Sequence, residues 1–283
     1  MMKKNILQRA KALPLPLYLL GVMLVSGCSE QEVVEPAVLQ ASSLHEAKGK
    51  GQNESIKTQT FYGPATPLGQ GVARTWVEVN KNGEPVAIGV NMSSKAAASL
   101  PDEMTIYNLQ LPKQVEATPF QTVMLDWNPA GHGPNMYEKP HFDVHFYMIS
   151  NEERAAIPGG EQTLSEDFQA NYIPKDHLFG GMSIPGMGVH WINSHSPEIM
   201  HEEEFTKTFI FGEYQNKVIF YEPMLTLEYL QGLAPNIVEE AIVPQPAKVQ
   251  QSGYYPKSYT VSYDPTPGEY TIALTNLYYR VAE

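Results

Sequence analysis

From about Phe61 onward, short apolar runs are broken by Gly, Pro and Asn, the spacing of strands and turns rather than of amphipathic helices. Val72–Val79 alternates strictly, placing Ala73, Thr75, Val77 and Val79 on one face. Asn80-Lys-Asn-Gly83 then turns the chain into Val86–Val90, which predicts a hairpin. A short helix is expected at Ser93–Leu100, with further strands at Thr105–Leu111 and Phe120–Trp127. A Gly/Pro-rich loop, Asn128–Pro140, leads into His141–Ile149, the most regular alternation in the chain. Residues 150–200 read as loop, with helical turns near Glu152–Ile157 and Ser165–Asn171. Phe205–Phe211 and Lys217–Glu222 predict another hairpin across Gly212–Asn216. Pro223 to Gln231 fits a short helix, with Pro in its first turn and Gly232 just past its end. A last hairpin, Ser258–Tyr263 with Tyr270–Tyr279, turns at Asp264-Pro-Thr-Pro-Gly268. Many short strands and few helices predict a mainly β fold, sandwich or barrel-like, with a few short helices.

The N-terminus breaks this pattern. Lys3, Lys4, Arg9 and Lys11 precede an apolar stretch from Leu13 to Val25, and Val25-Ser-Gly-Cys28 follows. That order is a secretory signal, and small residues directly before a cysteine match a lipobox. The apolar stretch is shorter than the roughly 20 residues that a permanent span needs. The expectation is a lipoprotein signal over 1–27, with Cys28 as the lipid-carrying first residue of the mature chain. Cys28 is the only cysteine, so its acylation leaves no thiol for disulfide or thiolate chemistry. Ser29 rather than Asp follows it, which points to an outer-membrane lipoprotein if the host is Gram-negative, facing the periplasm or the cell surface. Residues 28–58 are polar and aperiodic and read as a flexible tether. The remainder, 59–283, is long enough for one sizeable domain.

Removing residues 1–27 takes away four cations and no anion, carrying the net charge from −12 to −16. So acidic a body argues against nucleic acid as a partner, because such binding depends on neutralising phosphates. It also argues against the body lying on anionic lipid, so the expected membrane contact is the lipid anchor alone.

The candidate chemistry lies in Pro140-His-Phe-Asp-Val-His-Phe-Tyr-Met148. In a strand, Phe142, Val144, Phe146 and Met148 share one face, and His141, Asp143, His145 and Tyr147 share the other. The second face holds polar groups but no Lys, Arg or Glu, so it too is expected to be covered, by the Gly/Pro loop or a neighbouring subunit. His and Asp are metal-ligand types. Residues two apart on a strand are about 6.6 Å apart and can converge on one ion, whereas His141 and His145 together would need a bulge. Two ligands are too few for a strong site, so others must come from elsewhere. His190, in Pro185-Gly-Met-Gly-Val-His-Trp191, and Glu222, on the same strand face as Val218 and Phe220, are the best candidates. His132, in Gly131-His-Gly-Pro134, is a lesser one. His195 and His201, beside Glu202-Glu-Glu204, read as a solvated loop. Ser183 and Ser194 lack the glycine pattern of a nucleophile elbow.

These strings resemble a domain-of-unknown-function family of exported bacterial proteins, typified by a small thermophile protein under sigma-factor control. The matching stretches are Pro85-Val-Ala-Ile-Gly-Val90, Leu125-Asp-Trp-Asn-Pro129, Gly131-His-Gly-Pro134 and Pro140-His-Phe-Asp-Val-His-Phe-Tyr147. Met187-Gly-Val-His-Trp191, Thr208-Phe-Ile-Phe-Gly212 and Phe220-Tyr-Glu-Pro-Met224 continue the series. Gly133 stands where the resemblance leads one to expect Glu. The resemblance covers a core of about 60–232, leaves 233–283 as an added strand pair, and implies an exported domain that oligomerises with itself. It implies no reaction. The leading expectation is therefore a lipid-anchored envelope protein that binds a divalent metal, zinc or copper first, through His141, Asp143, His145, His190 and Glu222. Two alternatives stay open: a non-enzymatic envelope protein with a buried His–Asp network, and a cupin-like metalloenzyme, which the lack of a His-x-His pair weakens.

Overall fold

The computed structural model describes residues 57–133 and 135–283; the expected signal, Cys28 and the tether up to residue 56 lie outside the described residues. The alternation is realised as two seven-stranded antiparallel sheets. The described residues begin with β1 (Gln59–Tyr62), β2 (Thr66–Leu68), β3 (Gly71–Val79) and β4 (Pro85–Ser93). The chain crosses to the second sheet through β5 (Thr105–Gln110), β6 (Thr122–Asn128) and β7 (His141–Tyr147). Four short strands follow: β8 (Gly160–Glu161), β9 (His177–Phe179), β10 (Met182–Ser183) and β11 (Val189–Asn193). The long pair β12 (Lys207–Tyr214) and β13 (Lys217–Thr226) comes next. The chain ends with β14 (Val238–Ile242), β15 (Gly253–Tyr255), β16 (Ser258–Asp264), β17 (Glu269–Thr275) and β18 (Tyr278–Arg280). The first sheet runs β1-β3-β4-β17-β16-β14, with β2 also on β3, and the second runs β5-β6-β7-β13-β12-β11-β9.

The sheets pack through one apolar face each. Val77, Ile88, Val90, Val261, Ile272 and Leu274 of the first meet Val123, Leu125, Phe142, Val144, Phe146 and Phe211 of the second in one buried core. Phe209 of β12 lies 5.3 Å from Tyr259 of β16, ring centre to ring centre, across the interface. The C-terminal strands are part of this core: β17 pairs with β4 over seven positions and lies between β4 and β16. We therefore expect Leu274→Ala to cost about 3 kcal/mol, as a buried large-to-small change does. A stability loss in urea unfolding of less than a third of that would place the C-terminal segment at the periphery instead.

The described helices are short: α1 (Ser94–Ala97), α2 (Asn151–Ala155), α3 (Glu166–Tyr172), α4 (Pro197–Met200) and α5 (Leu227–Gln231). None is long and apolar enough to cross a membrane. Ser93, Ser150, Ser165 and Thr226 each accept a backbone N–H as helix caps. The last of these marks a departure from the sequence pattern. Pro223 lies inside β13, not at a helix start, and the helix begins four residues later behind Thr226. The ladder between β13 and β7 skips Glu222 and Pro223, so the proline, which pairs with Phe209 of β12, sits where no pair with β7 forms.

The second sheet is covered on its other face as well. Met124, Tyr137, Tyr147, Ile157, Phe205, Ile210, Phe220 and Met224 form a smaller buried cluster there. Its cover comes from the loop before β7 and from the irregular segment between β7 and β12. Every residue of β7 is consequently buried, on both faces.

Candidate metal centre

The register of the second sheet decides which polar side chains meet on this covered face. Asp126 of β6 pairs directly with Asp143 of β7, and Asn128 pairs with His141. On the other side of β7, Phe220 pairs with Tyr147 and Met224 with Asp143, so Glu222 lies opposite His145. Across β13, Glu222 pairs with Ile210 and Phe220 with Gly212; His190 of β11 pairs with Gly212. His190 and Glu222 are thus two strands apart, with Gly212 opposite His190 and Ile210 opposite Glu222 on the strand between them. Phe220 occupies the space over Gly212, 4.8 Å from the His145 ring and 5.1 Å from the His190 ring. Gly188, at φ +94°, sits where a Cβ would lie 2.6 Å from the Glu213 carbonyl, which lets β11 dock closely enough to deliver His190.

Two groups of three ligand-type side chains result. In the first, His145 Nε2 lies 3.5 Å from Glu222 Oε1 and His190 Nε2 lies 3.7 Å from Glu222 Oε2. In the second, His132 Nε2 lies 3.2 Å from Asp143 Oδ2 and His141 Nε2 lies 3.1 Å from Asp143 Oδ1. Within each group the donor atoms all lie within 4.8 Å of one another. The five residues singled out from the sequence are therefore divided: His145, His190 and Glu222 converge, whereas His141 and Asp143 join His132, the lesser candidate.

Asp126 was absent from the sequence candidates. It is fully buried, and neither of its carboxylate oxygens has a hydrogen-bond partner within the protein. Its Oδ2 lies 3.7 Å from His145 Nδ1. The signal for it was present: Asp126 sits between Leu125 and Trp127 in a strand, at an alternate position that faces away from the core.

The electrostatics follow from burial. His145 is held neutral by desolvation, its pKa lowered to about 3, and His190 likewise to about 4. Burial pushes Glu222 well above the usual carboxylate range, and the Asp143 and Asp126 charges add to the shift. Asp126 is raised by the same causes, burial first and then Asp143. Burial acts against ionised Asp143 too, but the His132 and His141 rings outweigh it and hold that carboxyl well below its ordinary value. Three buried carboxyl groups thus share one patch, a distribution that a cation would balance.

Asp126, Asn128, His132, Asp143 and His190 line one cavity of about 730 Å³, whose other walls include Met104, Leu178, Met182, Met187 and Ile192. The polar floor and apolar walls are the usual make-up of a small-molecule or cofactor site. A separate cavity of about 320 Å³ near Gln121, Tyr172 and Lys248 carries no comparable group of histidines and carboxylates.

Fold and site together define an antiparallel two-sheet protein with paired His–carboxylate clusters on a covered sheet face. A family model described as TTHB210-like, hypothetical protein TTHB210, matches residues 80–127. The match spans β4 to β6 and includes Pro85–Val90 and Asp126, in agreement with the resemblance seen in the sequence. That family is uncharacterised, and the histidine-bearing strings lie beyond the matched residues. No curated protein and no solved structure shows a significant match.

Proposed function

We propose that the protein is a lipid-anchored envelope protein that binds a divalent transition-metal ion, zinc or copper first, through His145, His190 and Glu222. The observation that carries this reading is the spacing of the three donors. Separations of 3.5 and 3.7 Å are too long for the hydrogen bonds of a structural network, which cluster at about 2.7–3.2 Å. They lie close to the spacing of atoms that share an ion, since ligands about 2.0–2.2 Å from a tetrahedral centre lie roughly 3.3–3.6 Å apart. Both imidazoles are neutral, as ligands must be. Asp126 lies on the Nδ1 side of His145, with Oδ2 3.7 Å away and no hydrogen bond between them. Two histidines and one carboxylate are a donor set used by zinc sites that keep a position for a further ligand. Here His190 is the member of the set that lines the cavity.

Elemental analysis of the mature chain, purified without a histidine tag, tests the reading. Bound zinc or copper near or above one equivalent is expected, falling by one equivalent in the double substitution His145→Ala, His190→Ala. Equal, substoichiometric metal in both proteins would sink it. The anchor is tested separately: Cys28→Ala is expected to abolish incorporation of labelled palmitate and to release the protein from the membrane fraction. Retention of the label would remove Cys28 as the acylated residue.

A further inference from the structure

We propose that His132, His141 and Asp143 hold a second divalent cation, so that the floor of the cavity takes two metal ions rather than one. The argument starts from which ring nitrogens carry hydrogen. His141 Nδ1 lies 2.6 Å from the Lys139 carbonyl oxygen, and His132 Nδ1 lies 2.8 Å from that of Gly133. A carbonyl oxygen only accepts, so in both rings Nδ1 must be the N–H that donates. The neutral form of each ring then presents a lone pair at Nε2. Both of those lone pairs face the same carboxylate, at 3.1 and 3.2 Å. In that form electron pairs converge from three residues, and His141 Nε2 and Asp143 Oδ1 are buried without a hydrogen-bond partner although His132 Nε2 is within hydrogen-bond distance of Oδ2.

A metal ion at the focus resolves this convergence, and the surroundings match the way ligands are usually held. A ligating histidine typically gives its second N–H to a backbone carbonyl, which fixes tautomer and ring orientation; here both do. Asp143 is itself oriented by Asn128, whose Nδ2 donates to Oδ2 at 2.9 Å. The His141 ring is held at 5.6 Å by Phe205 and at 4.6 Å by His132. His141 is fully buried, whereas the His132 side chain is 41% exposed and lines the cavity, giving an ion a route in. With two nitrogens, one carboxylate and no thiolate, the cluster suits a first-row divalent ion that accepts N/O ligands and leaves coordination positions open.

The proposal does not rest on the His145–His190–Glu222 site, and stoichiometry separates the two. The probe is Zn²⁺ alone, titrated calorimetrically into chelator-stripped mature protein at pH 8, with elemental analysis after dialysis. Two equivalents are expected for the wild type. His132→Gln, which changes a partly exposed side chain, is expected to retain one, and Asp143→Asn provides a second reading of the same loss. His190→Ala is also expected to retain one, through the cluster argued here. Coincident metal-free melting curves for His132→Gln and wild type would confirm that the fold is unchanged. A wild-type stoichiometry that His132→Gln leaves unaltered would overturn the proposal. It would mean that protons on both Nε2 atoms satisfy Asp143, and that the cluster is an imidazolium clamp. If instead the first site fails and this one holds, the wild type binds one equivalent, lost in His132→Gln and kept in His190→Ala.

Discussion

Glu222→Gln is expected to make the metal-free protein more stable while removing its capacity to hold an ion at His145 and His190. The carboxyl is buried on the same face of β13 as Phe220 and Met224, and its folded pKa lies well above the ordinary 4.5 because burial penalises the charged form. The sign of the pH dependence follows from linkage. A group whose folded pKa is raised contributes stability that is fully present below the unfolded value. That contribution is lost as pH rises toward the folded value. Wild type therefore loses stability from about pH 4.5 upward on account of Glu222, and an uncharged amide of the same shape does not. We expect the variant to exceed wild type by about 1–3 kcal/mol at pH 8 in chelator. For a domain of this size that is about 3–10 °C in melting temperature. The advantage should shrink toward zero by pH 4. Zinc offsets the advantage: at a hundredfold excess over its dissociation constant, an ion that binds only the folded state adds about 2.7 kcal/mol to wild type. Thermal melts of both proteins at pH 4 and pH 8, with chelator and with zinc, give the four values required. A variant less stable than wild type in chelator at pH 8 would show that the carboxylate has a satisfying partner within the protein.

That trade-off explains why β7 was the most readable part of the chain. A strand buried on both faces normally reads as a continuous apolar run. Here one face is apolar and the other carries His141, Asp143, His145 and Tyr147, so alternation survives although nothing on the strand reaches solvent. The alternation identified the strand, its two faces and the covered polar side. Glu222 was legible for the same reason, as the carboxylate in an apolar strand. His190 was legible through the glycines before it. The grouping of the ligands was not, because it depends on strand order and register. Nothing in the sequence says that β7 lies between β6 and β13, or that β12 separates β11 from β13 with Gly212 opposite His190.

Other departures have local causes. β9 and β11 are short strands between Gly180-Gly181, Pro185-Gly186 and Ser194, and an edge ladder of three to five residues leaves too little alternation to detect. Pro223 resembled a helix start because Thr226, the residue that caps α5, follows only three positions later. His132 owes its place to a loop in which its backbone N–H donates to the Tyr137 carbonyl and Gly131 adopts φ +65°. Flanking glycines permit such a bend without specifying where it leads. The 233–283 segment, set apart because the family strings end before it, supplies β17 and β16 to the interior of the first sheet. Its apolar positions, Val261, Ile272 and Leu274, alternate as clearly as those of β4.

Gly212→Ala is expected to damage fold and metal site together, although it adds only one methyl group. A Cβ at Gly212 would lie 1.9 Å from Phe220 Cε1 and 2.1 Å from its Cδ1, well inside contact distance. The Phe220 ring cannot simply slide away. It is fully buried, with the rings of His145, Tyr147 and His190 centred 4.8, 5.1 and 5.1 Å from it. Any movement that clears the methyl group pushes on one of the two histidines. Overpacking of this kind costs about 2–3 kcal/mol, which for a domain of this size lowers the melting temperature by about 5–10 °C. Zinc binding at His145 and His190 should weaken at least tenfold, while the cluster at His132 and Asp143, one to two residue rows away, keeps its ion. Adding Phe220→Leu tests the cause directly. If the ring is what the methyl group strikes, the double substitution is more stable than the sum of its parts by about 1 kcal/mol or more. Gly133→Ala is the control, since its added Cβ meets no atom within 4 Å beyond its chain neighbours, and its melting curve should match that of wild type. Strict additivity of Gly212→Ala and Phe220→Leu would mean that Gly212 serves the backbone of β12 and not the passage between the two histidines.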